Sequence, residues 1–215
     1  MLINHIKILF LLAAFSSTVA GANDVKSKDI ISSVDKVAIM RLASAEHIYE
    51  IQQDTSTLKF RVDSPVGDVW GRFHDFRGSF FMLNVGAHNK TAAIEINAES
   101  LDTKTGFIRA MLKSESFFDV EKFPSIHFAG SSIEWYSKTH AVMKGEMTIQ
   151  ETTLPVAFYV EIVKADGEAE SSGRITVNVS TTIKRSEFGL YTLLPIVGDN
   201  VNIFMSVDAL KKEAV

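Results

Sequence analysis

Leu154, Val156, Phe158, Val160 and Ile162 alternate with Pro155, Ala157, Tyr159 and Glu161, and this period of two constrains the fold more than any other feature of the chain. Successive side chains of a strand point to opposite faces, so strict alternation predicts a strand with one face dry and the other wet. The same pattern recurs. Leu58, Phe60 and Val62 alternate with Lys59, Arg61 and Asp63; Ile175, Val177, Val179, Thr181 and Ile183 share one side of a later run; Val201, Ile203, Met205 and Val207 do so in the last. Turn chemistry separates the runs at Asp63-Ser64-Pro65, 85–89, Ala165-Asp166-Gly167, Ser171-Ser172-Gly173 and 197–200. Runs near 48–53, 57–63, 66–76, 78–84, 91–100, 125–135, 140–150, 154–164, 173–186 and 200–208 give about eight to ten strands at hairpin spacing, the pattern of a sandwich or an antiparallel barrel.

Residues 1–22 follow a different rule. Lys7 supplies positive charge, Ile8 to Phe15 is nearly all apolar, and Ala20-Gly21-Ala22 fits a small-x-small cleavage site, so a secretory signal is expected. Ser16-Ser17-Thr18 interrupts the apolar run long before the roughly 20 residues a membrane-spanning helix needs. Residues 23–46 have loosely helical apolar spacing and are expected to form a short helix or tethered arm. The remainder, 47–215, is the right length for one domain with a sizeable core. The chain has no cysteine, which removes disulfides, thiolate metal sites and cysteine nucleophiles. A formal charge of -4 offers no field for phosphate backbones, so nucleic acid is excluded as a partner.

Alternation breaks between 101 and 124. Thr103-Lys104-Thr105 can cap a helix near 104–114, and Pro124 fits the start of the next strand. Phe117 and Phe118 follow that helix within the polar stretch KSESFFDVEKFPSIHF, where a strand would push one ring into water. A loop folding both rings over an open barrel end resolves the difficulty. The chain holds 15 phenylalanines against 4 tyrosines and 2 tryptophans, and phenylalanine adds apolar area with no polar atom to satisfy. A barrel of about eight strands either packs solid or holds one ligand. Catalytic signals are weak by comparison. The histidines at 5, 47, 74, 88, 127 and 140 stand singly, no serine lies in a Gly-x-Ser-x-Gly elbow, and pairs such as Asp119 with Glu121 are coincidences expected among 26 acids.

Thr103, Arg109, Leu112, Ser114, Phe117-Phe118-Asp119, Phe123-Pro124, Ile126 and Phe128 together resemble the signature of YceI-like polyisoprenoid-binding proteins. Tyr49-x-Ile51-x-x-Asp54-x-Ser56-x-Leu58-x-Phe60, Val69-x-Gly71-x-Phe73-x-x-Phe76-x-Gly78, Arg185-Ser186-x-Phe188-Gly189-Leu190 and Gly198-Asp199-x-Val201-x-Ile203 are similar to other parts of that family. The resemblance runs from about Tyr49 to Ala209. It implies an all-β, mainly antiparallel, lipocalin-like closed barrel of about eight strands with one helix. It also implies an exported protein of the periplasm that binds a long isoprenoid or related amphiphile, of quinone or prenyl phosphate type, for transport, storage or sequestration. On that basis Leu58, Phe60, Phe73, Phe117, Phe118, Phe128, Phe158, Phe188 and Ile203 are expected in the cavity wall or lid, with Arg109 as the head-group contact. The family's Asp and His after the arginine are Ala110 and Met111 here, and Thr55 stands where it often has His, so the resemblance carries less for the head group. The expected partner is the lipid, with no cofactor beyond a bound isoprenoid or quinone, no metal, and no membrane span once the signal is removed. Transient contact with a membrane or membrane protein fits the same reading, and oligomeric state stays open. Two alternatives remain: an enzyme acting on a lipid-like substrate in the same cavity, and an interaction partner of a membrane redox protein.

Overall fold

The last strand, β11 (Asn200–Lys212), organises the sheet because it is paired along both edges. The computed structural model describes residues 48–81, 91–163 and 173–212. The expected signal at 1–22, the arm at 23–46, His47, His88, residues 82–84 of the fourth run and the turns at 85–89 and 165–167 lie outside the described residues. Along one edge of β11 runs β10 (Arg174–Lys184); along the other run β1 (Ile48–Ile51) and β2 (Thr57–Val62). β1 and β2 are thus two halves of one stave, broken by the 3-10 turn Gln53–Thr55.

The next two staves break at the same level. β3 (Val69–Phe73) and β4 (Phe76–Phe81) bend at His74-Asp75, and β5 (Ala92–Asn97) and β6 (Leu101–Thr103) flank the 3-10 turn Ala98–Ser100, capped by the Asn97 side chain accepting from Glu99 N–H. β3 pairs with β2 and β6, and β4 with β1 and β5. The runs expected at 66–76 and 78–84 are therefore redrawn with their boundary at 74–75. Helix α1 (Gly106–Lys113) follows, and then the long hairpins β7 (Ser125–Trp135), β8 (His140–Ile149), β9 (Thr152–Val163) and β10. Every ladder is antiparallel, and the order β1-β4-β5-β7-β8-β9-β10-β11 returns to β1. Eight strands close a barrel, with β2, β3 and β6 extending one end. Closure removes the exposed edges that an open sandwich would leave.

Alternation sorts the side chains as the sequence predicts. In β9, Val156, Phe158 and Val160 are buried while Pro155, Ala157, Tyr159 and Glu161 are exposed, and in β2 Leu58, Phe60 and Val62 are buried. One continuous apolar cluster joins all the staves.

At the extended end the ladder is interrupted twice. β5 and β7 pair only as far as Asn97↔Ser125, so β6 has no strand on its far side among the described residues. β9 and β10 stop pairing at Tyr159↔Ser180, and Pro155, which has no N–H to give, lies beyond that point. There Thr181 Oγ1 donates to the Ala157 carbonyl at 2.8 Å instead. The first gap is where α1 and residues 114–124 sit.

Candidate functional site

α1 fills its gap because its sequence is amphipathic on the right side. Thr105 caps it by accepting from Ile108 N–H at 3.4 Å, and Lys113 lies in its last turn, where a cation suits the carbonyl end. Ile108, Met111 and Leu112 then face the barrel interior. After Ser114 the chain turns back on itself: Phe118 N–H donates to the Leu112 carbonyl and Asp119 N–H to that of Ser114. Because this segment is a turn and not a strand, adjacent residues need not face opposite ways. Phe117 is buried and Phe118 half-buried, both against the same interior. The turn is pinned from two sides, by Gln150 Nε2 donating to the Phe117 carbonyl at 2.7 Å and Thr192 Oγ1 donating to that of Ser116 at 2.6 Å.

Inside lies an apolar cavity of about 300 Å³. Leu58, Phe60, Phe73, Phe117, Phe118, Phe128, Phe158 and Ile203 all line it. Their rings interlock: Phe128 and Phe158 meet edge-on at 4.9 Å between centroids, Phe73 and Phe118 edge-on at 6.0 Å, and Phe60 and Phe73 at 5.9 Å. Such pairs contribute about 1 kcal/mol each beyond their burial. Two glycines keep the rings against the wall. A Cβ on Gly71 would fall within the Phe60 ring, and one on Gly145 would strike the tip of Phe128 and the backbone of Ala129. The rings occupy notches that any larger residue would close, and the centre stays empty.

Two expected site residues lie elsewhere. Phe188 is 1 % exposed and belongs to the packed core, with no part in the cavity lining. Strand alternation ends at Lys184; the 3-10 turn Arg185–Phe188, closed by Gly189 in a left-handed conformation (φ 84°), breaks the parity that carried Ile183 inward. Arg109 is exposed on the flank of α1 away from Ile108, Met111 and Leu112, and its guanidinium donates to Asp102 Oδ1 at 2.8 Å. That bond holds the Asp102 carboxyl below the usual carboxylate range. Arg109 is thus no part of the apolar lining and stands outside the cavity, its guanidinium held by Asp102.

The charged side chain that does reach the cavity is Arg185. It is 5 % exposed, and its N–H groups donate to the carbonyls of Gly198 (2.9 Å), Leu190 (2.7 Å), Thr192 (2.8 Å) and Val197 (3.0 Å). Burial pushes its pKa down, opposed by nearby Asp199. Asp199 in turn accepts from Ser186 N–H (2.9 Å) and Oγ (2.8 Å), which hold its carboxyl below the ordinary range. The guanidinium is thereby a spindle for the loop 189–198, whose Leu190, Leu193 and Val197 complete the lining. No strand parity marks it, because the ladder ends at Lys184 and Arg185 opens the 3-10 turn. Four of the seven methionines, Met111, Met143, Met147 and Met205, also line the void. Methionine adapts its shape to what it packs against. Among the described residues Arg185 is the only titratable side chain in the lining, and no three His, Asp or Glu side chains gather as metal ligands would.

A family model described as the YceI-like domain matches residues 49–209. A UPF0312 protein of Shewanella putrefaciens is 23 % identical over 180 residues, covering 83 % of this chain and 94 % of that one. BcnA of Burkholderia cenocepacia is similar in fold, with a TM-score of 0.62 at 20 % identity over 74 % of this chain and 98 % of its own. A polyisoprenoid binding domain from Saccharophagus degradans, implicated in plant cell wall breakdown, superposes with a TM-score of 0.59 at 11 % identity over 76 % of this chain and 98 % of its own.

Proposed function

The chain belongs to the YceI-like domain family, and from that premise we propose that its barrel binds the apolar chain of an isoprenoid or similar amphiphile, as a carrier or store in the periplasm. The observation that carries the reading is the cavity: about 300 Å³ lined by side chains that offer a ligand almost nothing but hydrocarbon. At the volume share of a small molecule in a liquid, such a void holds roughly ten methylene-sized groups. Ten methylenes leaving water contribute roughly 8 kcal/mol before the costs of association and ordering. The enclosed segment is therefore about two isoprene units, and the rest of any longer tail, with its head group, lies at or beyond the mouth. The polyisoprenoid binding domain of similar fold supports the choice of ligand class.

A catalytic reading needs a second titratable group facing the lumen. Among the described residues Arg185 stands there alone, with four of its N–H groups already given to carbonyls. A purely structural interaction module needs a filled interior, which this barrel lacks. The test is extraction of the protein, purified from several hosts, with organic solvent and mass spectrometry of the extract, followed by titration with geraniol, farnesol and a short-tailed quinone. One lipid per chain, or saturable uptake of an added one, is expected. Empty extracts together with no uptake would overturn the proposal.

A further inference from the structure

The loops framing the cavity mouth carry apolar side chains that the barrel does not bury. Val66, between β2 and β3, is 97 % exposed; Phe107, at the start of α1, 79 %; Ile196 and Tyr191, between β10 and β11, 66 % and 64 %. Residues 189–198, GLYTLLPIVG, contain no charged residue. These loops are fastened into one rim, by Gly198 N–H donating to the Asp63 carbonyl at 2.8 Å and by the Thr192–Ser116 bond. The rim is also continuous with the cavity, since Val66 and Leu193 border the void on one side and solvent on the other. Exposed apolar surface of this kind marks a docking site.

What docks is indicated by the order of side chains down the outer wall. Below Val66, Trp70 of β3 and Phe204 of β11 stack at 6.0 Å and stay accessible. Next to them, Lys59 lies directly across from Phe204 and from Arg72. Arg72 and Arg109 share the single carboxylate of Asp102, so with Lys59 this flank carries excess positive charge. The acids nearest the rim on this side, Asp63 and Asp68, share Arg61 at 3.5 and 3.4 Å, so the four cations Lys59, Arg61, Arg72 and Arg109 outnumber the three acids of this flank by one. Aliphatic tips, then an indole belt, then cations at phosphate depth is the sequence of groups that a lipid–water interface accommodates.

We propose that the rim docks on a phospholipid bilayer with the cavity mouth facing the acyl chains, so that an apolar ligand passes between bilayer and barrel without crossing water. The docking surface stands on its own observations; what passes through it rests on the proposed function. Sedimentation with vesicles of phosphatidylethanolamine and phosphatidylglycerol tests it, comparing the protein with a Phe107→Asp, Ile196→Asp double variant. Neither residue lines the cavity and both are exposed, so fold and farnesol binding in solution should be retained, and a melting curve checks the former. The protein should sediment with vesicles, with blue-shifted tryptophan emission, and the variant should bind them roughly a hundredfold more weakly, the share of two buried apolar side chains. No vesicle binding by the parent protein, or equal binding by the variant, would overturn the proposal. So would a dimer abolished by the double variant in the absence of vesicle binding, which would make the rim an interface between copies. Loss of farnesol binding in the parent protein would strike the proposed function and leave the docking result to stand or fall separately.

Discussion

Gly71→Ala should reduce the capacity of the barrel without unfolding it. Gly71 and Phe60 are direct cross-strand partners, in a ladder that runs from Leu58↔Phe73 to Val62↔Val69. An added methyl would overlap the Phe60 ring, and the paired backbones cannot separate without losing that ladder. The ring is the part free to move, and the void is the space open to it. If it displaces two or three of the roughly ten methylenes the cavity can hold, at about 0.8 kcal/mol each the loss is about 2 kcal/mol, or roughly thirtyfold in affinity for farnesol. Stability should change less than the 1–3 kcal/mol, roughly, of ordinary overpacking, because the ring enters empty space and not a filled core. Titration calorimetry with farnesol and a thermal melt read the two effects separately. The double variant Gly71→Ala, Phe60→Leu removes the end of the ring and should regain most of the lost affinity. Wild-type affinity in Gly71→Ala, or no recovery in the double variant, would refute the notch.

Phe118→Asp places a carboxylate in the half-buried lid and should weaken farnesol binding more than it lowers stability; a variant that keeps its ligand as well as the parent does would remove Phe118 from the lid. Arg185→Met strips four carbonyls of their donors and should destabilise the fold by about 3 kcal/mol or more, seen as a lower midpoint in urea, with proteolysis beginning in 189–198. Asp199 titrates below its ordinary value of 3.8 because Ser186 donates to its ionised form. A depressed carboxylate contributes stability above its unfolded pKa and loses it as pH falls through the folded one. Acid unfolding should therefore steepen below that ordinary value, and Asp199→Asn should be less stable at neutral pH and flatter in that range. Parallel pH profiles for the two proteins would contradict the role of Asp199.

Period two made most of the barrel readable, because a strand wet on one face and dry on the other repeats its parity for as long as it pairs. Val156, Phe158 and Val160 were legible for that reason. Parity is lost wherever the backbone leaves the ladder, and the errors fall there. The bend at His74-Asp75 carries no strong breaker, so the first of the two runs was carried through it to Phe76 and the boundary fell too late. Phe188 lies in a 3-10 turn, where inward and outward have no fixed period. Arg109 could be placed on the helix but not on the correct flank, because that depends on which side α1 turns to the gap beside β6. Barrel closure itself needed the β1–β11 pairing, which joins the two ends of the domain and leaves no local mark. The rim was hidden for a related reason: nothing in GLYTLLPIVG distinguishes an apolar loop that is covered from one that is bare.

Carbon-13 NMR of methyl-labelled methionine tests the central claim most directly, since Met111, Met143, Met147 and Met205 border the cavity at different points. On titration with farnesol these four methyl signals should shift together and saturate at one ligand per chain. Signals that stay unmoved while the protein remains folded, or shifts confined to the other methionines, would contradict an apolar chain held inside the barrel.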